Sequence, residues 1–160
     1  MAQLARAAAP EYQVKAAFLF NFAKFVDWPA GVLTRNTSVN VCVLGDDPFG
    51  PILNRTVEGK TVHDRPIRVA RLTDMADVSR CHVLFISASE RRELPRLLPG
   101  LAGRSVLTVG ETSTFVQDGG MIGFTTDEDR VRFEINNEAA ERAGLHISSQ
   151  LLKLATRVIQ

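Results

Sequence analysis

The stretch VNVCVL, Val39–Leu44, predicts a short β-strand. Two further apolar runs follow it in the sequence, CHVLFIS at residues 81–87 and SVLTV at residues 105–109. A half-polar strand is predicted between them and the first run, at Arg65–Leu72. Apolar runs that alternate with helical segments are typical of a buried parallel sheet. We therefore expect these side chains to be buried: Val41, Val43, Val83, Phe85, Val106 and Val109.

Helical segments are predicted between these strands. Asp47 is placed as an N-cap with Pro48 at the first helical position, and that helix should run to about Val57. Ser87 should cap the next helix, which is expected to end before Pro99.

The pattern changes in the C-terminal third of the chain. Met121–Thr125 and Arg130–Ile135 flank an acidic turn and predict an antiparallel hairpin. Asn136 or Asn137 should cap a short helix, and apolar spacing over residues 147–158 predicts a final helix. The predicted fold class is α/β: a single-domain mixed sheet, mainly parallel with an antiparallel hairpin, flanked by helices.

An aromatic-rich segment precedes the first strand. Residues 11–28 predict a helix, and residues 1–10 are interpreted as a flexible tail or signal remnant ahead of a domain over residues 11–160. From the spacing we expect three phenylalanines to face the core and two lysines to reach solvent: Phe18, Phe22 and Phe25, and Lys15 and Lys24.

Composition excludes several classes of protein. The chain has 160 residues, of which 45% are hydrophobic and 23% charged, with 19 Lys and Arg against 18 Asp and Glu. That balance argues against a nucleic-acid binder, which needs a basic excess, and no apolar run is long enough for membrane insertion. Two cysteines, Cys42 and Cys81, leave two alternatives open: buried free thiols, or one long-range disulfide in an oxidising compartment.

A search for catalytic, metal and cofactor motifs finds none in the sequence. The three histidines are scattered, without the spacing of a ligand pair. A nucleotide site after the first strand is disfavoured, because Asp46 and Asp47 follow a single Gly45 and would repel a pyrophosphate. We therefore predict a protein that is not an enzyme and uses no cofactor.

Three motifs together resemble the YfiR family. They are VKAAFLFNFAKFVDWP at residues 14–29, VCVLGDDPFG at residues 41–50 and VRFEINNEAAERAGLHISSQLLKLA at residues 131–155. The resemblance implies an exported periplasmic protein of Gram-negative bacteria. It implies a repressor that binds the periplasmic sensor domain of an inner-membrane diguanylate cyclase (YfiN-like), limiting cyclic-di-GMP synthesis and biofilm formation. An outer-membrane lipoprotein (YfiB-like) would sequester it.

The resemblance also bears on the cysteines. Cys42 and Cys81 fall where the family has a disulfide, so pairing and export become the favoured interpretation. The founding member has a second cysteine pair around the stretch that here reads Phe115–Gly123, where this sequence has no cysteine. Redox control through that second pair is therefore not carried over.

A partner-binding surface is predicted on the last hairpin strand and the helix after it. Val131, Phe133 and Ile135 should be buried, which leaves Arg132 and Glu134 outward. Three alanines in the following helix could allow close approach of a partner, or could simply pack on the sheet: Ala139, Ala140 and Ala143. A small-ligand sensor for another membrane receptor is the alternative function, and whether the chain forms a homodimer stays open.

Overall fold

The structure is a computed structural model that describes residues 2–33 and 38–160, with side chains from residue 10 onward. The helices are α1 Ala2–Phe25, α2 Pro51–Val57, α3 Leu94–Leu101, α4 Asn137–Arg142 and α5 Ser149–Leu154, with 3-10 helices at Val78–Arg80 and Ala88–Glu93. The strands are β1 Val26–Asp27, β2 Val39–Leu44, β3 Thr61–Val62, β4 Arg65–Leu72, β5 Val83–Ile86, β6 Leu107–Gly110, β7 Ile122–Asp127, β8 Arg130–Asn136, β9 His146–Ile147 and β10 Arg157–Ile159. Within the described ranges, no helix combines the length and apolarity that crossing a membrane requires.

Eight strands form one mixed sheet in the order β10-β8-β7-β6-β5-β2-β4-β3. The central strands β4, β2, β5, β6 and β7 run parallel, while β7 and β8 form the predicted antiparallel hairpin. β10 adds in parallel to β8, and β1 pairs separately with β9. The predicted α/β fold, with its mainly parallel sheet and antiparallel hairpin, is confirmed.

Helices cover both faces of the sheet and create two apolar cores. On one face, α1 and α2 cover a core that includes Phe22 of α1 and Phe85 and Phe133 of the sheet, which we call the α1 core. On the other face, α3 packs over Leu84 and Ile86. The six side chains expected in the strand core are all buried, none more than 6% exposed: Val41, Val43, Val83, Phe85, Val106 and Val109.

The first helix differs from its prediction in its start, which is Ala2 instead of residue 11, in its end and in one charged residue. α1 ends at Phe25, because residues 26 and 27 pair as β1 with β9. Phe22 is fully buried, Phe18 and Phe25 are half-buried, and Lys24 reaches solvent as expected. The prediction that Lys15 reaches solvent is wrong: it is 3% exposed, because two glutamates pair with it.

Three other helix predictions need correction. α2 begins at Pro51, and Asp47 instead accepts a hydrogen bond from the backbone N–H of Phe49 in the preceding turn. α3 does not end before Pro99 but continues to Leu101. The predicted final helix over residues 147–158 is interrupted, since only α5 is helical and the following segment pairs with β8 as β10.

Candidate functional site

The predicted partner-binding strand, β8, has one buried and one accessible face. Phe133 and Ile135 are buried in the α1 core, while Arg132 is exposed and Glu134 is half-buried. This alternation follows from the two-residue period of a strand. The structure therefore places Arg132 and Glu134 together on the face opposite α1.

Strand register decides what surrounds Glu134. Its partners are Gly123 on β7 and Arg157 on β10, so Arg157 shares its face. Arg132 lies two residues away, with its guanidinium 3.9 Å from a carboxylate oxygen of Asp127 at the hairpin tip. The carboxylate of Glu134 has no cationic group within 4.0 Å among the described residues. We call Arg132, Glu134 and Arg157 the β8 surface.

The three candidate alanines, two in α4 and one at its C-cap, divide into two groups. Ala140 and Ala143 are 0% and 3% exposed and belong to the α1 core, as the packing alternative describes. Their contact with a partner stays a prediction. Ala139 is half-buried and packs against the α1 core.

Asn136 joins the β8 surface to α4. Its side-chain oxygen accepts a hydrogen bond from Ala139 N at 3.0 Å, which confirms Asn136 as the N-cap. Its side-chain amide donates to Val116 O at 2.9 Å, and its backbone N–H donates to Met121 O. The cap was predictable from sequence, but the contacts with the turn before β7 were not.

A cavity of about 460 Å³ lies between α3, α4 and the turn before β7. Its walls are mainly apolar and include Leu98, Leu101, Met121 and Ala139. Arg142 and Asp118 contribute charged groups to its lining. The cavity has the size of a small-ligand site, which the sequence pattern did not indicate.

The crevice where parallel sheets usually bind nucleotides is filled by side chains. The chain reverses its direction of sheet growth between β2 and β5, so Gly45 lies at the switch point. A Cβ atom at Gly45 would lie 2.6 Å from the Ser89 hydroxyl oxygen and 3.2 Å from Ser87 Cβ. The Ser89 hydroxyl also accepts a hydrogen bond from Asp46 N at 3.0 Å. This packing leaves no room for a pyrophosphate at Gly45.

A buried charge cluster joins α1 to the end of β6. Lys15 Nζ lies 2.6 Å from a Glu11 oxygen and 2.7 Å from a Glu111 oxygen. The Tyr12 hydroxyl donates to Glu111 at 3.2 Å. Burial, and then the charges of Glu111 and Glu11, raise the pKa of Tyr12 well above its usual range, so the phenol stays a donor. The Lys15 ammonium and the Tyr12 hydroxyl hydrogen-bond the two carboxylates, so we interpret the cluster as a structural feature.

Cys42 and Cys81 form a disulfide, as the family resemblance implied. The bridge ties β2 to the C-cap of the 3-10 helix Val78–Arg80, two residues before β5, on the α3 side of the sheet. The stretch where the founding family member has a second pair is packed with apolar side chains. Val116 is fully buried, and its Cγ1 lies 3.3 Å from where a Cβ at Gly123 would stand.

The described part of the chain contains no group of three or more His, Cys, Asp or Glu side chains arranged to hold a metal ion.

Comparisons with known proteins relate the chain to a protein family and to a solved structure. A profile described as YfiR/HmsC-like matches residues 12–156. A crystal structure of a conserved domain protein from Vibrio cholerae O1 biovar El Tor is similar, with a TM-score of 0.58 and 14% sequence identity over 89% of this chain. The match spans 60% of the Vibrio chain, and at this identity the similarity concerns the fold.

Proposed function

Because the chain belongs to the YfiR/HmsC-like family, we propose that it is a periplasmic protein-binding regulator that restrains an inner-membrane diguanylate cyclase and so limits cyclic-di-GMP signalling and biofilm formation. The match over residues 12–156 is the observation that carries this proposal, since it includes nearly every described element. The regulator acts by association and carries out no catalysis.

The disulfide supports the proposed compartment. Disulfides persist in oxidising compartments such as the bacterial periplasm and are rare in the cytosol. The bridge between Cys42 and Cys81 is buried, with the two residues 1% and 3% exposed. A periplasmic address places the regulator where it can reach a membrane receptor's sensor domain and an outer-membrane lipoprotein.

The β8 surface is the proposed contact with the cyclase sensor domain. Glu134 is half-buried and lacks a cationic partner within the described chain. A cationic side chain of a partner protein can therefore form an ion pair with its carboxylate. Arg132 shares the strand face of Glu134 and would lie at the rim of the contact, and half-buried Ala139 is proposed to contact the same partner. Removing one member of a buried charge pair costs about 2–5 kcal/mol in binding, which predicts at least a tenfold loss of affinity.

The test is titration of purified periplasmic sensor domains of membrane diguanylate cyclases with wild type and with Glu134→Arg and Glu134→Gln variants. We expect both variants to bind at least about tenfold more weakly, with unchanged circular dichroism. Arg92→Glu is the matched control, because Arg92 is exposed on the 3-10 helix before α3 and should leave affinity unchanged.

Two results would contradict this function. If wild type binds no such sensor domain, the cyclase assignment is wrong. If Glu134→Arg and Glu134→Gln bind as tightly as wild type, the contact lies elsewhere. The YfiB-like lipoprotein is proposed as a second partner, and it should compete with the sensor domain in the same titration.

The cavity between α3 and α4 favours a second candidate function, a small-ligand sensor module for another membrane receptor. Its apolar walls with a few polar groups fit an amphipathic small molecule. Replacing Ala139, which lines the cavity, with Phe should fill part of it. The sensor function predicts that anilinonaphthalene sulfonate binds folded wild type and loses affinity for Ala139→Phe. No dye binding to wild type would remove this candidate.

A further inference from the structure

The outer edge of β4 is the longest unpaired strand edge in the described part of the sheet. β4 is bonded along Ile67–Leu72 to β2 on one side, whereas β3 covers only Arg65 and Pro66 on the other. At the opposite end of the sheet, the edge strand β10 has three residues. A strand edge with free N–H and C=O groups is a template for pairing with another chain.

The hydrogen-bonding direction of β4 identifies its free groups. Leu72 O accepts from Gly45 N, so the backbone of Leu72 faces β2. Because successive residues of a strand point their backbone groups to opposite sides, Ile67, Val69 and Arg71 direct theirs away from β2. Three outward residues offer a ladder for an extended segment of about six or seven residues.

The two faces beside this edge differ in chemistry. On the α2 side a groove of about 590 Å³ runs along Ile67 and Val69, lined also by Val57 and by the opposite charges of Arg55 and Glu58. On the other side stands Arg68, which is exposed and has no carboxylate within 4.0 Å among the described residues. An added strand would meet Ile67 and Val69, flanked by polar side chains of α2, on one face and the cation of Arg68 on the other.

We propose that the outer edge of β4 binds an extended, acidic segment of a partner protein by strand addition. Apolar side chains of that segment fit the α2 groove, and its carboxylates, alternating with them, lie beside Arg68. Cross-strand pairs of opposite charge are stabilising, whereas like charges directly opposite are destabilising. This edge is at the other end of the sheet from the β8 surface, so the inference does not depend on the proposed function.

A second copy of the chain fits this edge less well. Antiparallel pairing of two β4 strands about a twofold axis places Arg68 of one copy opposite or diagonal to Arg68 of the other. Exposed arginines on an edge strand therefore oppose self-pairing while they attract an acidic strand. Charge complementarity thus favours a partner rather than a homodimer at this edge.

The test uses two capped seven-residue peptides, one of alternating Val and Glu and one of alternating Val and Lys, titrated into the full chain. Wild type should bind the Glu peptide at least tenfold more tightly than the Lys peptide. Arg68→Glu should reverse that preference, which a structural defect would not do. Arg92→Glu, an exposed charge change away from this edge, should leave it unchanged.

Val69→Pro removes an outward N–H without removing a hydrogen bond to β2. It should lower the affinity for the Glu peptide at least tenfold. Three outcomes would overturn the proposal. They are no binding of the Glu peptide to wild type, equal binding of both peptides, and retention of wild-type preference by Arg68→Glu. Dimerisation that Val69→Pro abolishes in sedimentation would show that a second copy occupies the edge, and would overturn it as well.

Discussion

Lys15 is held in the interior by charges that are distant in sequence. Its side chain is 4% exposed, and its partner Glu111 is 10% exposed. Breaking a buried ion pair from one side is strongly destabilising, because it leaves an uncompensated charge. We expect Lys15→Met to lower the free energy of unfolding by about 3–5 kcal/mol in urea denaturation.

Lys24→Met is the matched control, since Lys24 lies on the exposed side of the same helix. Its effect should stay within about 0.5 kcal/mol. Equal effects of the two substitutions would mean that the Lys15 cluster behaves as a solvated ion pair. Helical spacing could not reveal the difference between the two lysines, because Glu111 is 96 residues away from Lys15.

His82 gives the fold a pH dependence. Burial, and then the charge of Arg65, lower the pKa of His82 below its usual 6.5. Its Nδ1 accepts a hydrogen bond from Asn40 N at 2.9 Å, which requires that nitrogen to be unprotonated. The unfolded chain therefore binds the proton more readily, so stability is full above pH about 6.5 and falls as the pH drops below it.

Urea denaturation at pH about 7.5 and about 5.5 measures this contribution, whose slope is at most about 1.4 kcal/mol per pH unit for one histidine. His82→Asn, which keeps an acceptor, should flatten the dependence. His146→Asn should not, because His146 is exposed. An unchanged slope in His82→Asn would assign the acid sensitivity to other groups.

At the scale of elements, the turn before β7 requires glycine at two positions, because a phenylalanine ring fills the space that their side chains would occupy. A Cβ atom at Gly110 or Gly120 would collide with the ring of Phe115, which is 1% exposed. Gly120→Ala should therefore displace Phe115 and lower the free energy of unfolding by about 1–3 kcal/mol. The measurement is chemical denaturation, with near-ultraviolet circular dichroism to follow the aromatic core.

Gly100→Ala provides the control, because no atom lies within 4 Å of the added Cβ and Gly100 is helical. It should be neutral or stabilising by up to about 1 kcal/mol. A stable Gly120→Ala protein would mean that the turn before β7 tolerates movement of Phe115.

Elements defined by local pattern were predictable from sequence, and elements defined by pairing were not. The bounds of β2 and β4 match their predictions, because each is a β-rich run bounded by turn residues. β10 lies inside an apolar spacing typical of a helix, yet pairing with β8 outweighs local preference there. For the same reason Arg157, beside Glu134, was absent from the predicted site.

At the scale of the whole molecule, the two proposed binding regions occupy opposite ends of one sheet. The β8 surface lies next to β10, and the free edge of β4 lies next to β3. Between them, β2 and β5 are buried on both faces, so the centre of the sheet serves as a rigid spacer. Partners bound at the two proposed regions would therefore not overlap with each other.

The disulfide contributes to the stability of the whole molecule, because it closes a long loop through the centre of the sheet. Cys42 and Cys81 are 39 positions apart, and loop-closure entropy for that length corresponds to about 4 kcal/mol. The double variant Cys42→Ala/Cys81→Ala should lower the free energy of unfolding in urea by about that amount. Wild type in reductant should approach the variant, while reductant should leave the variant unchanged. If wild type keeps its urea midpoint although alkylation shows both thiols reduced, the bridge does not stabilise the fold.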